Sequence, residues 1–325
     1  MWTNRRRMIT GAFALGVGGM TLARAQSAYP NRPVRVIVPF APGGVTDVVA
    51  RLISGKIGEQ LGRQFYVENI VGGSGNVGMG QAARAAPDGY AMLTAFSSYV
   101  INPALFERVP YDPVNDFDPV SLAVTSTTVI VVNADLPVSS MKELVALIRA
   151  NPGKYSYASA GTGTGSHLTG ELFRLSLNLD LVHVPYGGGG PAIAATLAGH
   201  TPISFGSAAA TIPQHQEGKL RILAVGGAKR LKGLPDIPTI REGGYNEVAC
   251  DAVVGVLAPA KTPKEIVTLI NKEIAAVVAA PDVQERLTTL GFETETMTPD
   301  ELAAFFKSDL PKWAKVIKDA GVKAQ

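Results

Sequence analysis

Cysteine is almost missing from this chain. The single thiol, Cys250, cannot close an internal disulfide, and with four scattered histidines it cannot build a structural zinc cluster. Charge is sparse too. Of 325 residues, 18% are charged and 46% hydrophobic, which excludes a disordered chain, because disorder needs low hydrophobicity and high net charge. Neither a G-x-S-x-G elbow nor an H-E-x-x-H pair occurs, so two hydrolase signatures are lacking. The excess of basic charge comes from one end. The chain holds 30 Lys+Arg against 27 Asp+Glu, but Arg5, Arg6, Arg7 and Arg24 lie in residues 1–25, where there is no acid; without them the balance is 26 to 27. Nothing remains for a nucleic-acid footprint, which needs basic residues gathered on one face.

What is present begins with an address. Arg5-Arg6-Arg7 precedes an apolar run at 8–22, and Ala23-Arg24-Ala25 has the form of a cleavage site. The run is shorter than the ~20 residues that span a bilayer core. A signal peptide is therefore expected over 1–25, with cleavage after Ala25 and a soluble mature protein outside the inner membrane. The adjacent arginines leave Sec and twin-arginine export both open.

The remaining length suits two domains of roughly 150 residues each. Strand and helix patterns alternate along it, which indicates the α/β class with mostly parallel sheets flanked by helices. Residues 34–40 are β-branched and compact, as in a buried strand. After them Val48, Val49, Leu52, Ile53, Ile57 and Leu61 repeat at helical spacing, with Thr46 as the cap. Capping boxes are predicted at Ser140–Glu143, Thr262–Glu265 and Thr298–Glu301, the last two with proline at the first helical position. Two long extended runs, near 120–133 and 248–258, suggest a chain that crosses a hinge twice. One domain is expected at 28–122 plus 256–325, and the other at 123–255.

In open α/β sheets, ligands bind beyond the carboxyl ends of strands, where helix N-termini also point. Pro39-Phe40-Ala41-Pro42-Gly43-Gly44-Val45-Thr46-Asp47 is one such turn, and Ala160-Gly161-Thr162-Gly163-Thr164-Gly165-Ser166-His167 is another. Glycines let backbone amides approach a ligand, and the first amides of a helix attract anions. Asp47 reads better as a first-turn helix charge than as a ligand contact, and His167 better as a packed or capping histidine than as a base. Ser97-Ser98, Tyr186 with the glycines 187–190, and Ser207 end other strands. Two motifs mislead. Gly73-Ser74-Gly75-Asn76-Val77-Gly78 fits G-x-G-x-x-G, but the next strand ends in Phe96-Ser97-Ser98 and carries no acid for a ribose. The 161–166 loop lacks the Lys-Ser/Thr pair of a phosphate loop. No catalytic constellation, cofactor or metal site is expected.

These residues carry a resemblance. The 39–47 loop is similar to the first-loop signature of the Bug-type extracytoplasmic receptors of tripartite tricarboxylate transporters. The likeness continues at 69–80, at Pro87-Asp88-Gly89-Tyr90, at Asn102-Pro103-Ala104-Leu105-Phe106, through 159–173, at His183-Val184-Pro185-Tyr186, at Gly218-Lys219-Leu220-Arg221 and at Leu257-Ala258-Pro259-Ala260. It implies a monomeric, two-domain periplasmic binding protein of type II, with the ligand cleft between its domains. It also implies delivery of a small carboxylate to membrane transporter subunits. By the resemblance, Phe40, Ala41, Pro42, Gly43, Gly44, Thr46 and Asp47 would hold one carboxylate. Ala160, Gly161, Thr162, Gly163, Thr164, Ser166 and His167 would grip it from the other side. Ser97 and Ser98 would line the pocket, and Tyr186 and Ser207 its far end. Many members carry acids where this chain has Gly206-Ser207 and Ala194-Ala195, so an amino-acid ligand is disfavoured and a mono- or dicarboxylate, aromatic ones included, is expected. The competing readings are an exported enzyme, a serine hydrolase or an oxidoreductase, and a binding protein that signals to a sensor kinase.

Overall fold

The computed structural model describes residues 29–43, 45–227, 229–248, 251–290 and 292–323. The signal-peptide expectation, Gly44 and Cys250 lie outside them. The first half of the chain alternates β1 (Val34–Val38), α1 (Val45–Leu61), β2 (Phe65–Asn69), α2 (Asn76–Ala83), β3 (Ala91–Ala95) and α3 (Ser98–Leu105). A 17-residue strand, β4 (Phe117–Asn133), follows. Then come α4 (Met141–Ala150), β5 (Ser156–Ser159), α5 (Gly165–Ser176), β6 (Val182–Pro185), α6 (Gly189–Leu197), β7 (Ile203–Ser207), α7 (Ala208–Gln216) and β8 (Leu220–Val225). The chain closes with β9 (Asp251–Pro259), α8 (Lys264–Ala279), α9 (Pro281–Thr289), β10 (Phe292–Glu293) and α10 (Pro299–Ala320).

The class is α/β, with helices flanking a mixed sheet. Among the described residues the strand order is β2-β1-β3-β9-β4-β7-β5-β6, with β8 and β10 also paired to β4. Two parallel triplets, β2-β1-β3 and β6-β5-β7, stand at the ends. The strands joining them run antiparallel. Strand β4 changes partner abruptly: Thr127 still pairs with β9, whereas Thr128 pairs with β7.

From Val129 to Val132 its side chains alternate as a pleat requires. Ile130 and Val132 join the cluster of α4, β5 and α5, while Val129 and Val131 join that of α7 and β8. Earlier on β4, Val120, Ala123 and Val124 pack with α1 and α8, and Phe117 and Leu122 pack with α3 and α10. Apolar burial of this kind, about 25 cal/mol per Å² removed from water, is what holds the layers together.

Local signals fare unevenly. Thr298 forms the full capping box with Glu301. Ser140 caps α4, but Glu143 reaches back to Ser139 instead of Ser140. The box at Thr262 does not form: Pro263 is the N-cap, and the Thr262 hydroxyl donates to Pro259 O. Helices α3, α7 and α9 are not foreseen. Pro103 and Pro213 lie inside the first two, and Pro281 opens the third directly after α8 ends.

The G-x-G-x-x-G run serves packing. A Cβ at Gly78 would stand 2.7 Å from Ile70 O and 2.9 Å from Pro39 Cα. Only glycine lets α2 sit this close to the end of β1, directly beneath the first loop.

Candidate functional site

The first loop leaves β1 at Phe40 and turns at Gly43, whose φ is +82°. What fixes it is Asp47, 2% exposed in the first turn of α1. Its Oδ2 accepts from Gly43 N–H at 2.9 Å and from Arg51 Nε at 3.0 Å, and its Oδ1 accepts from Asn69 Nδ2 at 2.8 Å. Asn69 also donates to Phe40 O. Burial opposes the charge on Asp47, but the hydrogen bonds from Arg51, Gly43 and Asn69 outweigh it and hold the carboxyl below its ordinary range. Asp47 thus braces the loop, and the Gly43 amide donates to it. Thr46 is buried beside Asp47 inside α1, while Ala41, Pro42 and Gly43 are exposed.

The second loop leaves β5 at Ser159 and is knitted from within. Ala160 N–H donates to Ser166 Oγ at 2.9 Å, Gly161 N–H to Ser159 Oγ at 3.2 Å and Gly163 N–H to His167 Nδ1 at 2.9 Å. The Thr164 hydroxyl donates to Gly161 O at 2.7 Å and caps α5 by accepting from His167 N–H. His167 is 4% exposed, a packed histidine. Gly165 and Ser166, the first two residues of α5, keep N–H groups without a partner among the described residues. Gly163 rests against the other half of the chain, where an added Cβ would meet Leu105 of α3 at 2.3 Å.

Between these loops lies a cavity of about 260 Å³. From the sequence-derived set it gathers Ala160, Thr164, Ser166 and Ser207 into its wall; Phe40, Ala41, Pro42, Gly43, Thr46, Asp47, Gly161, Thr162, Gly163, His167, Tyr186, Ser97 and Ser98 stand outside that lining. Ser97 precedes α3, and Ser98 keeps an enclosed hydroxyl with no partner among the described residues. The Tyr186 hydroxyl approaches Thr201 Oγ1 at 3.5 Å.

Sequence reasoning missed Ser126 and Thr128 of β4, Phe96, Ala192 and Ile193 of α6, and Ser204. One signal was available. Thr125-Ser126-Thr127-Thr128 is a run of hydroxyls at the centre of a mostly apolar strand.

The wall has a consistent chemistry. Val45 opens α1, Gly165 opens α5, Gly189 opens α6 and Ser207 immediately precedes α7, and all four line the cavity. The N-terminal ends of four helices, each the positive end of a peptide dipole, therefore converge on one space. Among the described residues the side chains around it are hydroxyls and apolar groups, and none is charged. Such an arrangement suits an anion with an uncharged body.

Comparison with known proteins agrees with this geometry. Residues 49–322 match the family model described as the tripartite tricarboxylate transporter family receptor. The UPF0065 protein in the tcbD-tcbE intergenic region of Pseudomonas sp. (strain P51) is 38% identical over 98% of this chain and 96% of its own. The structure of the periplasmic binding protein BugD is 37% identical, covers 91% of this chain and 100% of that one, and superposes with a TM-score of 0.76. R. palustris Rpa4515, solved with adipate, is 31% identical with a TM-score of 0.79 over 91% of this chain and 99% of its own. The chain belongs to the tripartite tricarboxylate transporter receptor family, the Bug-type solute-binding proteins, and has their periplasmic-binding-protein fold.

Proposed function

We propose that this chain captures a small carboxylate in the cavity between its two loops and delivers it, from the periplasm, to a tripartite tricarboxylate-type membrane transporter. The observation that carries the reading is the convergence of four helix N-termini on a space with no charged lining side chain. Charge-assisted hydrogen bonds contribute about 1.5–3 kcal/mol each, and micromolar binding needs about 8 kcal/mol. The amides of Gly165 and Ser166, with hydroxyls of Ser126, Thr128 and Ser207, offer donors on this scale, less the cost of ordering and closure. The relative that holds adipate favours a carboxylate as well. A lining without acids supports a mono- or dicarboxylate, aromatic ones included, over an amino acid, whose ammonium would go without a counter-charge.

The lobes we propose are 28–122 plus 256–325 and 123–255, closing on the ligand about β4 and β9. The change of partner between Thr127 and Thr128, a few residues from the proposed boundary, supports a crossing on β4. Capture without turnover fits the described serine–histidine pair, Ser159 and His183 at 2.6 Å, better than catalysis does. Ser159 is 0% exposed and already accepts from Gly161 N–H, so a substrate has no approach to it.

Calorimetry against adipate, benzoate-type acids, aspartate and glutamate tests the reading. A carboxylate without an ammonium group is expected to bind and be recovered unchanged. Consumption of the ligand, or micromolar affinity for the amino acids alone, would overturn it. For export, mass spectrometry of the protein from the periplasmic fraction is expected to show Gln26 at the N-terminus; retained Met1 would contradict the signal peptide.

A further inference from the structure

Behind the second loop, outside the cavity lining, lies a group of buried and half-buried titratable side chains. The His167 ring stacks on His183 with centroids 3.8 Å apart and planes inclined by 14°. His183 shares a 2.6 Å hydrogen bond with Ser159 Oγ, at the end of β5 where the loop begins. His167 Nδ1 accepts from Gly163 N–H at 2.9 Å, at the point where the loop passes through a φ of +77°. To accept there, the ring must keep a lone pair on Nδ1, so it is uncharged with its proton on Nε2. The two histidines therefore grip the loop at both its start and its turn.

We propose that His167 is a positioning residue: as a neutral ring it holds Gly163 in the left-handed turn that aims the Gly165 and Ser166 amides at the cavity. This rests on the capture reading above. The surroundings favour the neutral form. Burial, and next the neighbouring His183, push His167 down to about 4, against the pull of Glu171. Burial lowers His183 also. Facing the pair are Glu171 and Arg174 of α5, ion-paired at 2.6 Å, and Tyr157 of β5, whose hydroxyl donates to Glu171 Oε1 at 2.8 Å and to His167 O at 3.3 Å. Strand β7 contributes uncharged residues, and α10 meets α5 in the apolar cluster of Leu168, Leu302 and Phe306. Protonation would put an N–H on Nδ1 against the Gly163 N–H, donor facing donor, and a cation on the His183 ring. The turn would then lose its hold.

Two substitutions separate this role from simple packing. His167→Leu keeps an apolar side chain but removes the acceptor; His167→Asn presents an acceptor near the Nδ1 position and does not titrate. In calorimetry with adipate near neutral pH, the leucine variant is expected to bind about tenfold more weakly, the loss of roughly one hydrogen bond, and the asparagine variant nearly as well as the native protein. As pH is lowered to about 4, native affinity is expected to fall relative to that of the asparagine variant. Taking this ratio cancels the protonation of adipate itself. If the leucine variant does not fold, the ratio alone decides. A leucine variant that binds like the native protein, or a ratio constant down to that pH, overturns the assignment and leaves capture standing. A native protein that binds none of the carboxylates removes both.

Discussion

Asp47 shows how one buried carboxylate can fix the shape of a loop beside a site. An acid in the first turn of a helix is stabilised by the dipole, and here the same carboxylate also ties together Gly43, Arg51 and Asn69. Removing it leaves a loop amide and an amide side chain without their acceptor. Asp47→Ala is expected to cost about 1–3 kcal/mol in urea denaturation, and Asp47→Asn less. The pH dependence follows from the lowered carboxyl value. The stabilisation is complete above the unfolded value of 3.8 and is lost as pH falls through the folded one, so the Asn variant should lose less stability in strong acid. His167 obeys the same sign by a different route. Its folded value, about 4, lies below its ordinary 6.5, so the unfolded chain binds more protons in that window. Stability should decline as pH drops from 6.5 towards 4, and His167→Asn should remove that part of the slope, read by thermal denaturation at stepped pH.

At the scale of elements, helix ends and close approaches matter most. Thr298→Ala breaks the capping box of α10 and should lower stability by about 1 kcal/mol in the same urea assay. Helix α5 lies so near β5 that a Cβ at Gly170 would stand 2.2 Å from the Tyr157 ring. Gly170→Ala is expected to cost about 1–3 kcal/mol, with the shift visible in Tm, because the ring cannot move without disturbing its bond to Glu171. Gly163 combines a left-handed backbone with contact to Leu105, so Gly163→Val should weaken carboxylate binding about tenfold or more. These elements also show what was legible in the chain. Loops with alternating glycine and hydroxyl residues identified the start of α5, and helical spacing identified α1. The commitment of the loop amides to Asp47, Ser159, Ser166 and His167 was not legible, because hydrogen bonds between loop and side chain depend on rotamers and not on spacing.

For the molecule as a whole, β4 is the organising strand. Its even-numbered hydroxyls, Ser126 and Thr128, face the cavity between the loops, and Thr125 and Thr127 line a second cavity of about 250 Å³ with Lys229 and Glu293. A ligand that binds only the folded, closed form should raise stability by mass action. A carboxylate that binds, supplied at a hundredfold excess over its Kd, is expected to add about 2.7 kcal/mol to unfolding. Denaturation curves that superpose with and without a ligand shown to bind would mean that the ligand fails to discriminate between the folded and unfolded chains.

The sequence by itself determined the alternation of strands and helices, the glycine-rich turns at their junctions and the lack of a cation in either loop. These follow from residue periodicity, from backbone freedom and from simple absence, all of which are local. Tertiary structure decided which amides remain free and which hydroxyls face the cavity. It also brought the N-termini of α6 and α7 to the same space as those of α1 and α5. Those outcomes depend on how β4 carries the chain from one parallel triplet to the other, and pairing between strands distant in sequence leaves no local periodicity to read.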